Sequence, residues 1–146
     1  YCKGHQGNQR GQMIVLDASV VLKWIFGDED RVEKARLFRE NHISGKDAIA
    51  VHNLFFYEVA NVLSTKTRLS SKDASDAFSL IWDFDFDVFG FGQNEYLSSI
   101  HLSKRYGITL YDASYIKLAQ RLKCRFITAD RKLHEKVKGI SGIELL

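Results

Sequence analysis

The sequence predicts an α/β fold with a mainly parallel sheet. Three observations lead there. Five short apolar runs have strand length, seven longer stretches have helical spacing or length, and the strands are separated by those helices over 146 residues. That length suits one domain with a sizeable core and is short for two.

Met13-Ile14-Val15-Leu16 is the first strand, and Ala18–Phe26 reads as a helix starting at its carboxyl end. Asp28-Glu29-Asp30 puts negative charge where a helix N-terminus favours it, and Val32, Ala35, Leu37 and Phe38 carry helical spacing to about His42. Ala48–Val51 is a second strand. Leu54 to about Thr67 is a strongly apolar helix, and Ser70, Ser71 and Asp73 form the cap of the next, from about Lys72 to Trp82. Phe86, Val88 and Phe89, alternating with Asp85 and Asp87, suggest a third strand. Asn94–Arg105 is amphipathic, with Gly107 placed as its stop. Tyr111–Lys123 is a helix, Arg125–Thr128 a strand, Asp130 to about Lys138 a short charged helix, and Ile143–Leu146 a last strand.

Hydrophobic residues make up 45% and charged ones 27%, the balance of a soluble globular protein. No apolar run approaches the ~20 residues that span a bilayer. Residues 1–12 are polar and glycine-rich and lack a signal peptide's apolar core. Met13 is the only methionine and directly precedes the first strand, so residues 13–146 are expected as a single domain, with 1–12 a disordered leader or a cloning remnant. Cys2 and Cys124 give neither a disulfide framework nor a metal-binding spacing, which points to a reducing cytoplasm. Charge is unevenly spread. Residues 70–100 carry one Lys against six acids, whereas 101–146 carry ten Lys or Arg against four. A basic third beside acidic side chains suits a protein that attracts a polyanion, though a solvated helix face has the same signature.

Four acids lie at the ends of apolar runs or inside them: Asp17, Glu58, Asp112 and Asp130. In a parallel α/β sheet, ligands bind outside the carboxyl ends of the strands, where Asp17 and Asp130 fall. Asp17 is either a metal ligand or the cap of the following helix. Glu58 sits within an apolar helix, so it needs a cation, a polar pocket, a hydrogen bond to Asn61 or a buried ion pair. Asp112 can serve both as a first-turn charge and as a ligand, and Asp130 as a ligand or a cap. Several carboxylates in one pocket repel unless a cation joins them, and hard oxygen donors suit Mg²⁺ or Mn²⁺.

The segments Leu16-Asp17-Ala18-Ser19, Tyr57-Glu58-Val59-Ala60-Asn61-Val62-Leu63, Tyr111-Asp112-Ala113-Ser114-Tyr115 and Ile127-Thr128-Ala129-Asp130-Arg131-Lys132-Leu133 closely resemble the signatures of PIN-domain ribonucleases. Within them, the chain is most like the VapC-type toxins of type II toxin–antitoxin pairs. One departure is Val51-His52-Asn53-Leu54, where the family often has a proline before the glutamate helix. The resemblance implies a three-layer α/β/α sandwich and a metal-dependent endoribonuclease that hydrolyses RNA. It also implies a cognate antitoxin partner and a homodimer, and a protein not bound to a membrane. Asp17, Glu58, Asp112 and Asp130 match its acidic quartet. Asp17, Asp112 and Asp130 are then the metal ligands and Glu58 the residue that orients or deprotonates water. Ser19 and Thr128 match its small hydroxyl positions. Lys117, Arg121, Lys123, Arg131 and Lys132 are candidate phosphate contacts, or solubilising charge. Trp24, Phe26, Phe55, Phe56 and Tyr57 are candidates for a partner groove or for core. The five histidines are scattered and form no pair for a metal-free, 2′-hydroxyl mechanism. The rival readings are a PIN-like module that binds RNA or protein without cutting, and a haloacid dehalogenase-like phosphatase. The latter lacks its second aspartate, having Ser19 there.

Overall fold

Residues 14–16 and 48–52 are buried without a break, which requires a sheet covered on both faces. The computed structural model describes residues 11–26, 31–65 and 68–146. The expected leader over 1–10, the acidic run Asp28-Glu29-Asp30 and the helix end at Thr67 lie outside the described residues. Chain order is β1 (Met13–Leu16), α1 (Ala18–Leu22), α2 (Val32–Ile43), β2 (Ala48–His52), α3 (Phe55–Thr65), α4 (Ser71–Asp83), β3 (Asp87–Phe89), α5 (Gln93–Tyr106), α6 (Leu110–Leu122), β4 (Arg125–Thr128), α7 (Arg131–Lys136) and β5 (Ile143–Leu145).

The five strands form one parallel sheet in the order β3-β2-β1-β4-β5, flanked by helices. β1 sits in the middle, with Ile14 opposite Ile49 of β2 and Leu16 opposite Ile127 of β4. The chain therefore builds outward on one side, returns through α5 and α6, and builds outward on the other. The reversal falls between β1 and β4, and the crevice for a ligand opens at such a reversal. Gln12, just ahead of β1, already accepts the Ala48 N–H at 3.2 Å.

α1 is shorter than its apolar run suggests. The N–H groups of Lys23 and Trp24 bond three residues back, to Val20 at 3.2 Å and Val21 at 3.0 Å. This tighter winding ends the helix and turns Trp24 inward. There its indole N–H donates to the Ala35 carbonyl at 2.8 Å, and its ring meets Phe84 edge-on. Phe55, Tyr115 and Phe126 are the largest fully buried side chains, and α6 packs across β1, β2 and β4. His42 ties three elements together: Nδ1 accepts the Ile49 N–H at 3.1 Å and Nε2 meets the Phe84 carbonyl at 2.7 Å. Among the described residues no helix is long and apolar enough to cross a membrane.

The expected caps form. Ser70 accepts the Asp73 N–H at 3.0 Å, and Gly107 ends α5 at φ +64°. A methyl group built on Gly107 meets nothing within 4 Å, so any penalty there is conformational. Gly107→Ala should lower stability by about 1 kcal/mol. It would be read as a lower urea midpoint at unchanged slope; an unmoved midpoint would show that this cap carries no strain.

Candidate active site

β1 ends at Leu16, and the next residue, Asp17, caps α1 by accepting the Val20 N–H on Oδ1 at 3.3 Å. The Ser19 hydroxyl donates to the same oxygen, and the Thr128 hydroxyl donates to Oδ2 at 2.5 Å. Thr128 closes the neighbouring strand β4. Its Oγ1 in turn accepts the Asp130 N–H at 3.1 Å, while Ser19 Oγ accepts the Ala129 N–H at 3.0 Å. The two strand ends are thus laced together through one carboxylate that is 5% exposed. Burial lifts the Asp17 carboxyl to about 6; its three donors pull the other way, and the charge of Asp112 adds to the rise.

Glu58 lies in the first turn of α3. Tyr115 of α6 donates its hydroxyl to Oε2 at 3.2 Å, and Oε1 stands 3.8 Å from Nε2 of His52. Those last two atoms are buried and have no hydrogen-bond partner among the described residues. Burial lifts the Glu58 carboxyl to about 7, against the Tyr115 hydrogen bond, and the charges of Asp17 and Asp112 push it further. The partner is therefore Tyr115, not the nearby Asn61, which is exposed.

Thr109 caps α6 by accepting the Asp112 N–H at 3.1 Å, which sets Asp112 in the first turn. Burial raises its carboxyl, the Thr109 contact lowers it, Asp130 adds repulsion and Lys136 relieves it. Asp130 caps α7, its Oδ1 accepting the Leu133 N–H at 3.0 Å. Asp17 and Asp130 are thus both helix caps, as one of the two readings of each expected. All four acids meet in one electrostatic row: Glu58 feels Asp17 and Asp112, Asp17 feels Asp112, and Asp112 feels Asp130.

Mutually repelling, oxygen-only donors, among them Asp17, Glu58 and Asp112 with raised proton affinity, are what a hard divalent cation would relieve. Among the described residues no three His, Cys, Asp or Glu side chains stand ready to hold one ion. The row fits such an ion in charge and donor type, with Asp17 fixed and the partly or fully exposed members having to rotate.

Of the candidate phosphate contacts, Arg131 and Lys132 line a shallow depression with Glu135 and Lys136. Arg121 is a strut, donating to Glu95 at 2.9 Å and to the Gly90 carbonyl at 3.0 Å. Trp24 and Phe55 belong to the core, whereas Tyr57 is 77% exposed. Three neighbours of the row escaped sequence reasoning: Tyr115, Lys136 and His52. Tyr115 was findable, three residues after Asp112 on one helix face. His52 had a weaker signal, as the polar residue that ends the buried strand β2 at the ligand edge.

A family model for the PIN domain matches residues 14–139. Ribonuclease VapC3 of Pyrobaculum aerophilum is 32% identical over 131 residues, covering 87% of this chain and 96% of that protein. The crystal structure of PAE2754 from the same organism superposes with TM-score 0.65 at 25% identity, over 92% of this chain and 91% of the other. A toxin–antitoxin complex from Klebsiella pneumoniae contains a chain of the same fold, with TM-score 0.62 at 16% identity over 90% and 95%.

A carboxyl with a raised folded-state pKa adds stability below its unfolded value, and that gain is lost as pH rises through the folded value. For Asp17 the window runs from 3.8 to about 6, and for Glu58 from 4.5 to about 7. His52, lowered by burial from 6.5 to about 4, works in the opposite sense over that interval and is spent above it. Between pH 6.5 and 8 the acids alone of these three remain. In EDTA the thermal midpoint should fall by about 3 °C over that step, ~1 kcal/mol. Glu58→Gln should remove most of the fall, and added Mg²⁺ or Mn²⁺ should reverse it. A flat profile in the wild type would show that burial does not hold the Asp17 and Glu58 carboxyls above their usual range.

Proposed function

Because this chain belongs to the PIN-domain family, we propose that it is a divalent-metal-dependent endoribonuclease and the toxin of a toxin–antitoxin pair. The observation that carries this reading is the buried Asp17 carboxylate, pinned by Ser19, Thr128 and Val20 and electrostatically joined to Glu58 and Asp112. Asp17, Asp112 and Asp130 would hold Mg²⁺ or Mn²⁺. When bound, such an ion makes hydroxide available near neutral pH and offsets charge on the scissile phosphate.

Glu58 takes the proton of the attacking water, and a carboxyl at about 7 is matched to that task. Asp17 serves as the fixed point of the set, since three donors hold both its oxygens. Attack by water on phosphorus leaves a 5′-phosphate and a 3′-hydroxyl. Arg131, Lys132 and Lys136, on the helix that Asp130 caps, offer positive charge to the RNA backbone without choosing its sequence.

Tyr57 and Tyr111 are exposed and each is the sequence neighbour of a row acid, so their rings are available to bases or to an antitoxin. The antitoxin, on this reading, covers the row with a basic side chain. Exposed apolar side chains on α4 and α5, among them Trp82 and Leu97, are available to a second copy of the chain. The cytoplasm, where RNA and antitoxin are both at hand, is the proposed place of action.

The test is cleavage of a total small-RNA pool with Mg²⁺, Mn²⁺ or EDTA. Wild type should cut only with metal, and folded Asp17→Asn and Asp112→Asn should each lose about 100-fold or more. Cutting that survives EDTA or both substitutions would remove the metal-site reading. No cutting by folded, metal-supplied protein would favour a module that binds without cleaving.

A further inference from the structure

His52 ends a strand that is otherwise all apolar, and it is 2% exposed. Its Nδ1 accepts the Leu54 N–H at 2.9 Å, at the entry to α3. A nitrogen that accepts a hydrogen bond carries no proton, so the neutral ring is the Nε2–H tautomer. Burial keeps the ring neutral, with its pKa lowered to about 4. Nε2 faces Glu58 Oε1 at 3.8 Å, and neither atom has another partner among the described residues.

The ring has little freedom to leave. Its centroid lies 4.1 Å from that of Tyr115, and Tyr115 stacks on Phe126 of β4 at 5.8 Å and 4°. Tyr115 is also the residue whose hydroxyl holds the other carboxylate oxygen of Glu58. One imidazole and one phenol, packed on each other, therefore bracket a single carboxylate.

From this geometry we propose that His52 is a positioning residue: its Nε2–H takes Glu58 Oε1 while Tyr115 takes Oε2, and together they fix the plane of the carboxylate. The inference rests on the reading of Glu58 as the proton acceptor. The gap of 3.8 Å closes to hydrogen-bond length with a shift of about 1 Å, the kind of tightening catalytic contacts undergo when substrate binds. An apolar side chain at position 52 would fill the same space and leave a buried carboxylate oxygen without a donor, which is costly.

Two substitutions separate the two nitrogens. His52→Asn keeps an acceptor near Nδ1 for the Leu54 N–H and removes Nε2. His52→Gln places an amide N–H near the position of Nε2. With RNA cleavage as the assay, His52→Asn should lower kcat by about tenfold or more at unchanged KM, and His52→Gln should recover most of it. In a Glu58→Gln background His52→Asn should have no further effect. Unchanged kcat in folded His52→Asn, or an equal loss in both backgrounds, would reduce His52 to a helix-entry residue.

A second measurement needs neither folding of the variant at position 52 nor activity. In ¹⁵N-histidine-labelled wild type, His52 should show the Nε2–H tautomer, and its proton resonance should move in Glu58→Gln. The Nδ1–H tautomer, or a resonance indifferent to Glu58→Gln, overturns the proposal. Wild-type cleavage by Glu58→Gln is a different failure. It removes the catalytic reading of Glu58, and the positioning role with it, whatever the resonance shows.

Discussion

One carboxylate has to be kept out of water at the seam between two adjacent parallel strands, and much of the site follows from how that is done. A buried charge without partners is worth several kcal/mol of instability. For Asp17 three donors offset part of that cost, two from the first turn of α1 and one from the end of β4. Val20 N–H exists because α1 starts at the end of β1, and Ser19 lies in its first turn. Thr128 is in place because β4 pairs beside β1 in the register that sets Leu16 opposite Ile127. Both hydroxyls then accept backbone N–H groups of the segment leading into α7, which carries Asp130. Placing Asp17 and placing Asp130 are therefore one structural event.

The remaining acids are tied to that fixed point by charge rather than by contact. Glu58 arrives on α3 and Asp112 on α6; the charge of Asp112 adds to the proton affinity of both Asp17 and Glu58, and that of Asp17 adds to Glu58's. At neutral pH such a row destabilises the fold that carries it, and active sites commonly carry this kind of local conflict. The row thus joins one buried carboxylate, locked by three donors, to three acids that solvent reaches.

The sequence was most legible where its signals are local. Among the described residues, five strands and seven helices lie where apolar runs, caps and Gly107 put them, because such features act within a few residues. The run through Phe26 overextended α1, since apolar character continues where the hydrogen bonds tighten and the chain turns Trp24 inward. The four acids were legible by position, and the family signatures sharpened them. The pairing of each acid with its partner was not. Nothing local to Glu58 points to Tyr115, which lies 57 residues away, and Asn61 was the obvious neighbour. Arg121 read as a phosphate contact because its salt bridge to Glu95 joins two helices that only the folded chain sets side by side. His52 looked like one of several scattered histidines, because its meaning comes from the ring packed on it and the carboxylate facing it.

The Thr128–Asp17 hydrogen bond joins residues 111 positions apart. A chain released vectorially from the ribosome shows Asp17 to solvent long before β4 exists to hold it. Until β4 and the segment after it have left the exit tunnel, β1 has β2 on one side only, and the first acid has no Thr128 hydroxyl and no Asp130. A truncated or half-translated product can contain Asp17, Glu58 and even Asp112 and still have no seam to mount them on. The wide separation of the two ends of that bond makes the emergence of β4 a condition of building the seam, so synthesis itself delays the moment at which these acids are brought together.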